Sequence, residues 1–240
     1  MADFDRSGAA DAGRAAWPAV TVVVPAYNRQ AYIAEALESV FRQRYRPLDV
    51  VVVDDGSTDA TAAVACSFPV RCLSTDHSGV AAARNRGLDA AGGDLIAFLD
   101  ADDAWTDGSL ARRVRHLLEH PRADFVLGRT ALFGDTARLS RVRTGLVTET
   151  QPGVLTTFVG WRAAVEAVGR FDESYALAED VDWFARARDA GVVCARLDDV
   201  CARYRVHWAN TTLQRRADLG SSVARALRAS LERRRARGRA

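Results

Sequence analysis

The chain of 240 residues contains no lysine, so all 33 of its basic residues are arginine. That absence excludes a Walker phosphate loop, a Schiff-base lysine and the usual kinase lysine in one step. Cysteine is sparse as well. Cys66, Cys72, Cys194 and Cys201 show no Cys-x-x-Cys or Cys/His spacing, so a zinc site is not expected. Nothing requires disulfides, and a reducing cytosol is the default setting. No window approaches the roughly 20 apolar residues that span a bilayer, which predicts a soluble or peripherally attached protein. An excess of one charge is also missing, since a net charge of +2 gives no general electrostatic reason to bind nucleic acid. Residues 1–17 are rich in Ala, Asp and Gly, with acidic residues where a signal peptide needs basic and then apolar ones, and they read as a disordered leader.

What is present is an alternation of strand and helix patterns, the mark of a mostly parallel α/β sheet with helices on both faces. At 48% hydrophobic and 27% charged, this length fits one such domain with at most a small appendage. Val20 to Val24 is a β-branched run ended by Pro25. A helical stripe of Ile33, Leu37, Val40 and Phe41 follows between Gln30 and about Arg44. Leu48 to Val53 is a strand stopped by Asp54-Asp55-Gly56-Ser57, and Thr58 to Cys66 reads as helix. Val70 to Leu73 is a short strand, and Gly79 to Ala90 a helix after a Ser78 cap. Further on, Ser109 to Glu119, Arg162 to Val168 and Ala178 to Ala190 read as helices. Ala123 to Gly128, Val192 to Leu197 and Val200 to Val206 read as strands, while 129–160 suits hairpins or loops. From Thr212 onward the tail is helical, with Leu219, Val223, Leu227 and Leu231 beneath an arginine-rich face.

Residues 95–103 read Leu-Ile-Ala-Phe-Leu-Asp-Ala-Asp-Asp, an apolar run ending in three carboxylates. A strand buried on both faces delivers its carboxyl end to the edge where open α/β sheets bind ligands. In an extended segment Asp100 and Asp102 point one way and Asp103 the other. Two like charges that close call for a cation or donors, and a hard divalent ion carrying a phosphate ligand is the natural third party. The plainer reading, that Asp102 and Asp103 cap the next helix, stands beside it.

Four motifs occur in order: Val22-Val23-Val24-Pro25-Ala26-Tyr27-Asn28-Arg29, Val53-Asp54-Asp55-Gly56-Ser57-Thr58-Asp59, Ala83-Arg84-Asn85-Arg86-Gly87 and Leu99-Asp100-Ala101-Asp102-Asp103. Together they closely resemble the nucleotide-sugar domain of the family 2 glycosyltransferases, which have the GT-A fold. The resemblance covers residues 18–210, as a nucleotide-sugar half (18–120) and an acceptor half (121–210) with a small irregular region, followed by an arginine-rich helix over 211–240. It implies that Asp55 and the segment Pro25, Ala26 and Tyr27 hold a nucleobase, and that Arg84 reaches the base or a phosphate. It also implies that Asp100 contacts ribose and metal, and that Asp102 is the principal ligand of Mn2+ or Mg2+. Plainer roles remain for several of these: Asp54 and Ser57 as turn formers, Arg84 as a solvated surface arginine, Asp103 as a second ligand or a cap.

A second acidic group, Ala178-Glu179-Asp180-Val181-Asp182-Trp183, follows Gly169-Arg170-Phe171-Asp172, and acidic residues in a first helical turn also complement the helix dipole. The family pattern makes Asp180 the general base for the acceptor hydroxyl. Trp183 and Phe184 stand where they could wall a sugar ring, core packing being the alternative for Phe184, and the role of Trp161 is open. His207, after the last strand, matches a histidine that completes the metal shell in relatives, whereas His77, His116 and His120 have no such support. The implied activity is inverting transfer of a sugar from a nucleoside-diphosphate donor, a uridine diphosphate sugar, to a hydroxylated acceptor. A small molecule, a saccharide, a lipid-linked saccharide or a peptide side chain would serve as acceptor. The competing reading is a nucleotide-sugar-binding module without turnover. A Rossmann dehydrogenase is disfavoured because no Gly-x-Gly-x-x-Gly follows the first strand. A glycoside hydrolase would have no use for the nucleotide-type elements. For the tail, contact with a membrane surface stands against a helix packed on its own domain.

Overall fold

A computed structural model of the chain describes residues 17–135, 150–152 and 154–237. Of the expected leader over 1–17, residues 1–16 lie outside the described residues, as does part of the stretch read as hairpins or loops, whereas Trp17 packs edge-on against Tyr45 at 5.5 Å between ring centroids.

Four strands pair in parallel in the order β3-β2-β1-β4: β1 (Val20–Ala26), β2 (Leu48–Asp54), β3 (Arg71–Ser74) and β4 (Leu95–Phe98). Beyond β4 the sheet continues through β8 (Val159–Trp161), β6 (Phe125–Gly134), β9 (Cys194–Val206) and β5 (Ala104–Trp105), with β7 (Thr150–Pro152) paired to β6. β8 is antiparallel to both β4 and β6, β9 is parallel to β6, and β5 is antiparallel to β9. The helices are α1 (Ile33–Phe41), α2 (Thr61–Cys66), α3 (Val80–Ala90), α4 (Ser109–Glu119), α5 (Arg162–Val168), α6 (Glu179–Asp189), α7 (Thr211–Gln214) and α8 (Arg216–Arg237).

The period of two along β1 sorts its side chains between two layers. Val20, Val22 and Val24 pack with Ile33, Leu37 and Val40 of α1 and with Leu110, Val114 and Leu117 of α4. Val23 faces the opposite layer, with Ala81, Ile96, Phe98, Phe171 and Trp183. Both faces are therefore covered, which is why β4 reads as an unbroken apolar run and β1 as a β-branched one whose only polar residue is Thr21. α3 approaches β1 so closely that a Cβ on Gly87 would lie 2.3 Å from Cγ1 of Val23.

Several local expectations change in three dimensions. The two strands read over 192–206 are one strand, β9, whose register against β6 shifts between Leu127 and Arg129, so the exposed Asp198-Asp199 pair is accommodated without ending the ladder. β5 carries no periodic signal, being two residues long, yet it anchors the segment after the carboxylates. The N-cap of α3 is Gly79 and not Ser78. Cys66 and Cys72, for which the sequence required no disulfide, are joined in one. The tail docks on α6 through Ala226 and Ser230, while Leu227 and Leu231 of the expected apolar stripe stay 48% and 51% exposed. Small side chains let the helices approach, and Asp189 then accepts hydrogen bonds from Ser230 at 2.9 Å and Arg233 at 3.0 Å. Among the described residues, no helix is long and apolar enough to cross a membrane.

Candidate active site

The carboxyl ends of β1, β2 and β4 lie side by side, and side chains from each lock the others. Asn28, in a left-handed conformation (φ 51°), donates its backbone N–H to Ser57 Oγ at 2.9 Å and accepts the Thr58 N–H on Oδ1 at 2.9 Å. Asp54 accepts the Ser57 N–H at 3.1 Å and so holds the turn. Asp55 is buried, and its carboxylate accepts the N–H groups of Ser78 at 2.7 Å and Gly79 at 2.8 Å and the Thr75 hydroxyl at 2.6 Å. It thereby fixes the two residues that lead into α3, whose backbone donors lie ahead of the helix's first turn. Pro25 and Ala26 are buried at the end of β1, and Tyr27 emerges beyond them, 37% exposed and stacked on His77 at 4.1 Å between ring centroids. His77 is itself in a left-handed conformation, with Nδ1 3.3 Å from the Asp55 carbonyl oxygen. Sequence reasoning passed over His77, because nothing in the chain shows that the loop before α3 folds back onto Tyr27.

At the end of β4 the three aspartates take separate partners. Asp100 accepts from Arg84 Nη2 at 2.8 Å, and the other terminal nitrogen of Arg84 donates to Glu179 on α6. Arg84 is 4% exposed, so it bridges the end of β4 and the start of α6 from within the protein rather than standing at the surface. Burial raises the Asp100 carboxyl above its ordinary range, Arg84 opposing this and Asp102 adding to it. Asp103 turns inward, 1% exposed, and accepts the Arg205 N–H at 2.9 Å. Burial and the charges of Asp102 and Asp100 push its carboxyl well above the usual value. Neither Asp102 nor Asp103 is a cap, because α4 begins only at Ser109, with Gly108 before it.

Asp102 meets His207 at 3.0 Å, Oδ2 to Nε2, and the same oxygen accepts from Arg29 Nε at 2.9 Å. The antiparallel pairing of Ala104 with Arg203 and of Trp105 with Ala202 brings the end of β9 to this point. Asn210 accepts the His207 N–H at 2.7 Å, and the Tyr32 ring lies 4.6 Å from the imidazole. Burial alone would raise the Asp102 carboxyl, but the His207 hydrogen bond and the Arg29 charge outweigh it and hold it low. Among the described residues, no group of three or more His, Cys, Asp or Glu side chains is placed to hold a metal. One carboxylate oxygen and one imidazole nitrogen 3.0 Å apart are the donor types that could hold a divalent cation.

Asp180 sits in the first turn of α6, after Ala178 in a left-handed conformation (φ 62°). Burial, with Glu179 beside it, pushes its carboxyl up to about 6, against the pull of Arg84. The flanking aromatics belong to the core. Trp183 is 1% exposed, donates Nε1 to the Gly169 carbonyl at 2.9 Å and packs on Phe125, Phe158 and Phe171, and Phe184 joins Phe125 and Phe158. Trp183 therefore does not wall an acceptor. Trp161 forms the N-cap position of α5. The fold thus gathers Arg84, Asp100, Asp102, His207 and, through Glu179, the Asp180 turn; Tyr27, His77 and Asp55 stand at the neighbouring strand ends.

Comparison with known proteins identifies the family and the fold. The family model described as glycosyl transferase family 2 matches residues 21–169. The glycosyltransferase GlyA of Streptococcus pneumoniae is 31% identical over 122 residues, which cover 49% of this chain and 17% of GlyA. The chain thus spans a small part of that relative's length. Among solved structures, Staphylococcus aureus TarS 1-349 in complex with UDP has a TM-score of 0.65 and 25% identity, covering 78% of this chain and 60% of the other. The mannosyltransferase PcManGT of Pyrobaculum calidifontis, in complex with GDP-Man and Mn2+, has a TM-score of 0.66 and 26% identity, covering 88% and 64%. The architecture is GT-A, and the chain belongs to glycosyl transferase family 2.

Proposed function

We propose that this chain transfers a sugar from a nucleoside diphosphate to a hydroxyl of an acceptor, with inversion at the anomeric carbon. The observation that carries the reading is the Arg84 bridge, which joins Asp100 at the donor strand end to Glu179, the residue preceding the single candidate base. Tyr27, with His77 behind it, offers a flat wall for the nucleobase, and Pro25, Ala26 and Asp55 shape the floor beneath it. Asp102 and His207 would hold Mn2+ or Mg2+, which when bound would offset negative charge on the departing diphosphate. Asp180 accepts the acceptor hydroxyl proton on its carboxylate; a carboxyl held near 6 is ionised at neutral pH and still basic enough for the task. Arg84 orients this turn and keeps its negative charge balanced.

The donor proposed is a uridine diphosphate sugar, in line with the UDP complex of TarS. A guanosine diphosphate sugar is the second reading, favoured by the GDP-Man complex of PcManGT. The acceptor class is a hydroxylated molecule, be it a saccharide, a lipid-linked saccharide, a peptide or a small metabolite. Thermal-shift titration with uridine, guanosine, thymidine and cytidine diphosphates, each with and without Mn2+, tests the donor half. Stabilisation by one nucleotide that depends on Mn2+ supports the proposal and names the base. No response to any of them removes it. Binding without transfer would identify the inactive module instead.

A further inference from the structure

Arg29 closes the first of the four motifs, where the resemblance gives it no role, yet it has a place at this site. Its Nε donates to the same Asp102 oxygen that meets His207. Its terminal nitrogens donate to the carbonyls of Tyr27 at 3.1 Å, Asn28 at 3.1 Å and Ala209 at 3.4 Å. The backbone N–H of Arg29 donates to Thr61 Oγ1 at 2.6 Å, fixing the root of the side chain as well. Carbonyls orient a guanidinium without cancelling its charge, so among these contacts Asp102 alone neutralises it. Both side chains are largely withdrawn from water, Arg29 at 17% and Asp102 at 15% exposure.

We infer that Arg29 is a resident counter-cation of the Asp102 and His207 pair, keeping a divalent cation out until a nucleoside diphosphate brings negative charge. The inference rests on the metal reading of that pair given above. A cation held by Asp102 would share its carboxylate with a fixed guanidinium, and in a partly dry cleft that repulsion is weakly screened. Diphosphate oxygens relieve it, because their charge offsets the guanidinium and the cation together. Metal and nucleotide binding are then coupled, each strengthening the other by the same factor. The contact from Arg29 to the Ala209 carbonyl adds a structural side to this coupling, since it ties the loop after β1 to the segment carrying His207.

The test is Mn2+ binding to the full chain, read from the electron paramagnetic resonance of free Mn2+, with no nucleotide, with UDP and with GDP. In the wild type, Mn2+ alone is expected to bind at least about tenfold more weakly than Mn2+ with the preferred nucleotide. Arg29→Gln and Arg29→Met are expected to bind Mn2+ alone about tenfold more tightly than the wild type, narrowing that gap. Wild-type protein that binds Mn2+ equally well with and without nucleotide overturns the inference, whatever the variants do. Folded variants whose affinity for Mn2+ alone is unchanged overturn it too, while binding in the presence of nucleotide leaves the metal reading standing. No Mn2+ binding under any condition removes the metal reading and this inference with it.

Discussion

Nε2 of His207 lies 3.0 Å from Oδ2 of Asp102 across 105 residues of chain. The contact depends on β5, whose antiparallel pairing with β9 draws the end of that strand over the carboxylates. Asp102→Asn and His207→Ala are each expected to abolish the Mn2+-dependent part of nucleotide stabilisation while leaving a folded protein. Differential scanning fluorimetry with and without Mn2+ reads this directly, and an undiminished Mn2+ effect in both variants would assign the cation to other residues.

Asp180→Asn is expected to keep nucleotide binding and to lower turnover about 100- to 10,000-fold, the range that general-base catalysis covers. In the wild type, activity should fall tenfold per pH unit below about 6, as the carboxylate takes up its proton. The stability trend has the opposite sense. Because the folded group holds its proton up to about 6 against an ordinary value of 3.8, its favourable contribution is present in acid and is lost as pH rises through that window. The Asn variant should lack this decline, which urea titrations at several pH values would show. An Asp180→Asn enzyme with normal turnover would remove Asp180 as the base.

Arg84→Met leaves the carboxylates of Asp100 and Glu179 without their shared partner, and Glu179 keeps only 8% side-chain exposure. Breaking a buried pair from one side is expected to cost about 3 kcal/mol. Adding Glu179→Gln should return part of that loss. Equilibrium unfolding of the two variants measures it, and a single variant as stable as the wild type would show that the bridge contributes nothing to folding.

Gly87→Ala places a methyl against Val23 at a distance no packed carbon tolerates. Overpacking of this kind typically costs roughly 1–3 kcal/mol, through displacement of Val23 or of α3 from the sheet. Unfolding midpoints would report it, and a shift within error would mean that Val23 turns aside freely.

For the tail, the exposed Leu227 and Leu231 among arginines are the residues that a membrane-surface contact would use. A membrane role for α8 predicts that replacing both with serine leaves stability unchanged and reduces pelleting with anionic vesicles. Equal pelleting of the two proteins would assign α8 to intramolecular packing against α6 alone.

The chain's own pattern was enough to read α1, β1, β2 and β4, because each buries a regular stripe or an unbroken apolar run that no other element type accommodates. It was also enough to single out the carboxylates at the end of β4, since the change from Leu99 to Asp100 is abrupt in sequence. Family membership was legible for a related reason, as its motifs are contiguous stretches at strand ends. Tertiary structure alone decided which charges meet. Arg84 with Glu179 and Arg29 with Asp102 are contacts distant in sequence and without periodicity, fixed by strand pairing and by burial that demands a partner for each charge. The same holds for the tail, where Leu219, Val223, Leu227 and Leu231 form the apolar stripe in the sequence but the small residues Ala226 and Ser230 beside it form the buried face. Helix approach is set by side-chain volume and by the hydrogen bonds that close contact permits, and a hydrophobic stripe records neither.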